Sequence, residues 1–213
     1  MAHWRYVALL STMCVLSAFA HPRREPSRQH ARMVEPLLID LGANGFQLTS
    51  VSDGVVFDLD GDGIEVQTAW TSKGGDDAFL ALDTIGTGRI ENGRKLLGGL
   101  HGGEFGFTTL QNLELAGHPS ANASDAVITE SDAIFSTLIL WLDANHNGIS
   151  EGDELRSLAS AGVVRMYVGV TGIEQADAHG NMFRYGARAL VKNRYGVPVD
   201  VEVRSVRLAR HSR

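Results

Sequence analysis

Residues 143–154 read DANHNGISEGDE and place oxygen-bearing side chains where they can wrap a cation. Asp143, Asn145 and Asn147 stand at alternate positions of a short loop, Gly148 permits a sharp turn, and Ile149 offers a backbone carbonyl. Glu151 follows, directly or through water, and Glu154 closes the set with both carboxylate oxygens. Six to eight hard oxygens at about 2.3–2.6 Å are what calcium requires. The third and fifth positions are neutral Asn, which leaves Asp143 and Glu154 as the firm charges. That places the expected affinity at the weak, extracellular end, roughly 10⁻⁴–10⁻³ M. The apolar residue sits at loop position seven with Ser150 at eight, a departure from the usual order.

A second loop, DLDGDGIE at 58–65, repeats the spacing with Asp58, Asp60, Asp62 and Gly63. Its twelfth position is Ala69, so Glu65, or the pair Asp76–Asp77 folding back, is needed to complete a shell. Three carboxylates this close are costly without a cation. Two weaker echoes keep less. DLGANG at 40–45 retains Asp40 and Asn44, while DTIGTG at 83–88 has Ile85 and Thr87 where ligands belong, with Lys95 nearby. Both read as eroded loops kept for their turns, not as sites.

The loops need flanking elements. Leu37–Leu41, Val55–Leu59 and Phe79–Asp83 are short apolar or alternating runs and predict strands. Phe107, Leu110, Leu113 and Leu115 have near-helical spacing. Ile134, Phe135, Leu138, Ile139, Trp141 and Leu142 predict a helix entering the Asp143 loop, capped by Ser131 or Asp132. Leu155, Leu158 and Ala159 predict a short exit helix stopped by Gly162. Val164–Val170, Met182–Val191 and Val197–Val206 alternate and predict strands, with a turn at His179–Asn181. The expected fold class is α+β, with short strands and helices around EF-hand-like calcium loops, followed by a C-terminal antiparallel β meander. Trp70 and Trp141 are expected to anchor the core beside the loops.

Composition fits export of a soluble body. Arg5, the apolar run Tyr6–Ala20 and the small residues around Phe19 predict a signal peptide at 1–20. Cys14 lies within it, so the remainder has no cysteine and no disulfide framework. Residues 21–35 predict a flexible basic leader, 36–170 the calcium-binding module, 171–208 a C-terminal β segment and 209–213 a tail. The net charge of −6 hides a segregation: residues 33–203 hold ten Lys and Arg against 24 Asp and Glu. Such an acidic body repels nucleic acid and calls for cations. The Arg-rich ends, including Arg204, Arg207 and Arg210, read as solvated. No integral membrane segment is expected in the mature chain. The eight histidines have no metal spacing, no Gly-x-Ser-x-Gly elbow occurs, and the glycines at 98, 99, 102, 103 and 106 are too irregular for a phosphate loop.

The succession EPLLIDLGANGF, VVFDLDGDGIEVQTAW, GGDDAFLALDTIGTGRIENGRKLLGG, GFTTLQNLELA and LILWLDANHNGISEGDELRSLASAGV resembles a calcium-binding module of large repeats-in-toxin (RTX) secreted proteins of Gram-negative bacteria and of smaller exported EF-hand-like proteins. It covers about residues 35–170, and GNMFRYGARA resembles the tail of the smaller members. The same succession resembles the self-processing module of iron-regulated RTX proteins. The resemblance implies calcium-driven folding and, in some members, cleavage of an Asp-Pro bond through an aspartyl anhydride. The equivalent bond here is Glu35–Pro36, and glutamate must close a six-membered anhydride with one more rotor to freeze. The expectation is a non-enzymatic, exported calcium-binding protein, periplasmic or secreted. The alternatives are calcium-dependent self-processing at Glu35–Pro36 and an adaptor for an envelope or secreted partner with structural calcium.

Overall fold

The computed structural model describes residues 34–83, 86–99, 106–117 and 126–212. The signal peptide, Cys14, the leader to residue 33, Ile85 and Gly102–Gly103 lie outside the described residues.

Short apolar runs, continuous instead of helically spaced, decide the architecture. They form β1 (Leu37–Asp40), β2 (Val55–Phe57), β3 (Val66–Thr68), β4 (Asp77–Leu82), β5 (Val127–Thr129) and β6 (Leu138–Trp141). The chain continues with β7 (Leu155–Ser157), β8 (Val163–Tyr167), β9 (Thr171–Ala176), β10 (Met182–Lys192) and β11 (Pro198–Arg207). One α-helix, α1 (Gly106–Gly117), occurs among the described residues. Among the described residues nine strands make one antiparallel sheet in the order β5-β8-β10-β11-β1-β4-β6-β7, with β9 also on β10, and β2 and β3 pair separately.

Strands β1 and β4 are buried along their whole length, because both faces of the sheet are covered. The pleat sends Leu37, Ile39, Leu80, Leu138 and Leu140 to one side, where Phe107 and Leu110 of α1 join them. Leu38, Phe79, Ala81 and Trp141 face the other side and meet Phe57 and Trp70 from the β2–β3 hairpin. The rings of Phe57, Trp70, Phe79 and Trp141 form one cluster, with centroids 4.5 Å apart for Trp70–Phe79 and 5.5 Å for the two indoles. Each such buried ring contributes about 2–3 kcal/mol through area removed from water.

The fold is therefore mostly β, which corrects the α+β expectation. The segment read as an entering helix forms a 3₁₀ turn at Ala133–Ser136 and then strand β6. Leu138–Leu142 is apolar at every position, so it satisfies a doubly buried strand as well as a helix, and pairing with β4 on one side and β7 on the other decides it. The exit helix is likewise strand β7. No helix–loop–helix surrounds residues 143–154. The C-terminal strands are not an appended meander: β11 pairs with β1, register Leu38↔Arg204, at the centre of the sheet. Among the described residues no helix is long and apolar enough to cross a membrane.

Candidate metal centre

Each acidic loop starts at or just past a strand end: Asp40 closes β1, Asp58 follows β2, Asp83 follows β4 and Asp143 lies two residues beyond β6. One backbone template recurs in all four. The fourth residues (Ala43, Gly61, Gly86, His146) and sixth residues (Gly45, Gly63, Gly88, Gly148) are left-handed, with φ between 56° and 90°. The first Asp caps the turn that results. Asp40 accepts the Asn44 and Gly45 amides at 3.2 and 2.8 Å, Asp58 those of Asp62 and Gly63 at 3.1 and 2.9 Å, and Asp143 those of Asn147 and Gly148 at 3.1 and 2.8 Å. Asp83 accepts the Gly88 amide at 2.7 Å and the Thr87 hydroxyl at 3.4 Å.

In the Asp143 loop the two charges expected to anchor an ion are buried: Asp143 is 2% and Glu154 6% exposed. Asp143 Oδ2 also accepts the Trp70 indole N–H at 2.8 Å, and Glu154 Oε2 lies 3.4 Å from that of Trp141. Both tryptophans thus hold loop carboxylates. Glu154 Oε1 accepts the Ala144 and Asn145 amides at 2.9 and 3.3 Å. Asn147 accepts the Ile149 amide at 2.7 Å and donates its own amide to Glu151 at 2.8 Å. The other Glu151 oxygen is buried without a hydrogen-bond partner. Burial, then the neighbouring Glu151, pushes the Glu154 carboxyl up, while the Asn147 amide holds Glu151 down. Asn145, Asn147 and Ile149 are exposed, Ile149 by 62%. Among the described residues no basic side chain pairs with Asp143, Glu151 or Glu154.

The Asp58 loop is set differently. Asp60 is buried and meets Arg210 at 2.6 Å, and Asp62 accepts the Ile64 amide at 3.0 Å. Glu65 is exposed and makes no hydrogen bond or ion pair with these carboxylates. Arg207 pairs with Glu35 and Arg204 with Glu202, so the C-terminal arginines are largely engaged, contrary to their reading as a solvated end.

Asp76 and Asp77 do not fold back on the Asp58 loop. They close on Asp40. Asp40 and Asp77 are direct cross-strand partners, and ligand oxygens of Asp40, Asp76 and Asp77 lie within 4.8 Å of one another. Gly42, at loop position three, has no side chain, and a Cβ there would run into the Asp76 carboxylate. The oxygen missing at position three is thus supplied from another segment, and Asn44 donates to the same carboxylate at 2.9 Å. Asp77 is 2% exposed; one oxygen accepts the Gln47 amide at 2.7 Å and the other has no partner. Burial, reinforced by Asp40 and Asp76, pushes its carboxyl up to about 7. Loop spacing alone misses this group; the available signal was two acids at the mouth of a buried apolar strand.

Glu35 is clamped. Its Oε1 accepts from Arg184 at 3.1 Å and Arg207 at 2.6 Å, and the register of β10 slips between Phe183 and Tyr185, the bulge at which Arg184 sits. The flanking backbone is held too: Pro36 accepts the Val206 amide and Leu37 donates to Leu97, each at 3.0 Å.

Residues 37–197 match the SPM domain. The chain belongs to the SPM-domain family. Over 155 residues it is also 33% identical to iron-regulated protein FrpA of Neisseria meningitidis serogroup C, an alignment covering 69% of this chain. The aligned region is 13% of that relative's length, so the chain spans a small part of the curated protein it matches. The link to iron-regulated proteins drawn from the motif order holds at the family level. An all-oxygen carboxylate cluster with a buried orphan oxygen fits a hard divalent cation such as calcium. Within this SPM domain, Asp40, Asp76 and Asp77 would hold an ion, whereas Asp143, Glu151 and Glu154 share a loop but their oxygens do not converge as that trio's do.

Proposed function

We propose that this SPM domain is an exported, non-enzymatic calcium-binding module whose fold is tightened by the ion outside the cytoplasm. The observation that carries the reading is the convergence of Asp40, Asp76 and Asp77 around a buried oxygen of Asp77 that no donor satisfies. Three carboxylates so close repel one another, and the cost falls on the buried Asp77. A divalent cation reverses that cost. The Asp143 loop adds two further buried acids and an orphan oxygen on Glu151. The body's acidity is in keeping with this chemistry.

The non-enzymatic part is supported by Glu35. Attack on its own carbonyl requires a mobile carboxylate, and this one is held by two guanidinium groups. Intact mass after prolonged incubation with calcium tests that part; a break at Glu35–Pro36 would overturn it.

Calcium binding is tested by thermal melting in chelator and in calcium. An ion at about a hundred times its Kd stabilises by about 2.7 kcal/mol, which for a domain of this size raises Tm by roughly 5–10 °C per site. An unchanged Tm at 10 mM calcium would sink the reading.

A further inference from the structure

The Asp83 loop shares the backbone template, yet its centre holds a cation from the chain itself. The Lys95 ammonium lies 3.0 Å from Asp83 Oδ1, 2.7 Å from the Arg89 carbonyl and 2.7 Å from Glu91 Oε2, and it bonds the Thr87 hydroxyl. Counted from Asp83, these oxygens sit at loop positions one, five, seven (a backbone carbonyl) and nine. Those are ligand positions of the twelve-residue calcium template. Lys95 is in place because a 3₁₀ turn at Gly93–Lys95 carries it, and because the next two residues lock to β4: Leu96 bridges Ala81, and the Leu97 amide donates to Leu80 at 2.9 Å. Only 15% of its side chain is exposed.

We propose that Lys95 is the resident cation of the Asp83 loop, standing where a metal ion would stand and making this turn independent of calcium. Desolvation alone would lower the lysine's pKa, but Glu91 and Asp83 together outweigh it and keep the group charged. The Asp83 loop also touches the Asp143 loop, since the Ile90 amide donates to Ser150 Oγ at 2.7 Å. A loop that needs no ion therefore braces one read above as needing one.

Amide hydrogen exchange on the purified chain, with chelator and with 10 mM calcium, tests this in wild type and in Lys95→Gln. In wild type, the Gly88 amide, bonded to Asp83, should exchange at the same rate in both conditions, whereas the Ile90 amide, bonded to Ser150, follows the Asp143 loop. In Lys95→Gln the Gly88 amide should exchange at least about tenfold faster in chelator and slow again in calcium, because Asp83, Thr87, Arg89 and Glu91 keep their oxygens. A calcium response of Gly88 in wild type, an unaltered rate in the variant without calcium, or a failure of calcium to restore protection would each overturn the proposal. If Lys95→Gln does not fold, Glu91→Gln removes one of the two carboxylate charges that hold Lys95, and faster exchange at Gly88 in chelator is expected; an unaltered rate there counts against the proposal equally. The chelator arm reads Lys95 whether or not the other loops take calcium, and exchange at 143–154 reports on those separately.

Discussion

The Asp83 and Asp143 loops begin with the same turn and end in opposite charge states. Both put an Asp at position one, left-handed residues at four and six, and their eighth residues in contact through Ile90 and Ser150. In the first, a lysine ammonium meets four oxygens. In the second, Asp143 and Glu154 are buried among neutral donors, two of them indoles, and among the described residues the charge that acts on Glu154 is another acid, Glu151. The turn is thus separable from the ion: peptide amides shape it, and the charge at its centre decides whether it stands alone.

The largest expected effect comes from Asp143→Ala. Three buried or half-buried donors, the Trp70 indole and the Asn147 and Gly148 amides, would lose their acceptor. At about 1–3 kcal/mol for each unsatisfied donor, the loss in chelator should reach about 3–5 kcal/mol by urea unfolding. Asp83→Ala should cost less, about 1–2 kcal/mol, because Lys95 keeps Glu91 and the Arg89 carbonyl. Equal losses would break the contrast.

Asp77→Asn sharpens it from a third loop. The amide keeps the shape, removes the repulsion with Asp40 and Asp76, and takes away a charge that an ion would need. Without calcium the variant should melt a few degrees above wild type, on the order of 1 kcal/mol. With calcium its gain should be less than half that of wild type. A variant that melts lower in chelator would mean that Asp77 is held by something other than the cost of its charge.

The recurrence of the loops was legible in the residues, because Asp at one and Gly at six carry a backbone requirement in their types. Most strands were legible too, β1, β4, β10 and β11 within a residue or two of their expected ends. The flanks of the Asp143 loop were not. LILWL carries no polar residue to reveal a period, and its strand form is chosen by distant partners, Phe79–Leu82 of β4. The completion of the Asp40 loop was hidden for a similar reason. Gly42 looks like a lost ligand until cross-strand register brings Asp76 and Asp77 beside it. Lys95 stands near its loop in sequence, but it is the turn at Gly93 that brings its ammonium to the centre of four oxygens. In each case local chemistry was written in the residue types and the long-range pairing was not.

The smallest effect expected is in pH, and it separates the two loops once more. Desolvation raises the Asp83 carboxyl, but hydrogen bonds from the Gly88 amide, Lys95 and Thr87 outweigh it and leave the group below its ordinary value. Glu91 is held low as well, chiefly by its bond to Lys95. An acid with a lowered folded-state pKa stabilises above its unfolded pKa, and that stability is lost as pH falls through the lowered value. Lys95, raised above its ordinary value, adds stability that disappears only in strong alkali. The clasp should therefore be insensitive between about pH 5 and 8 and loosen only below about 4. Exchange at Gly88, corrected for the intrinsic rate and measured in chelator, follows this directly. Loosening that begins near pH 6 would mean that a group outside the clasp controls the turn, and the lysine would no longer explain why this loop stands without an ion.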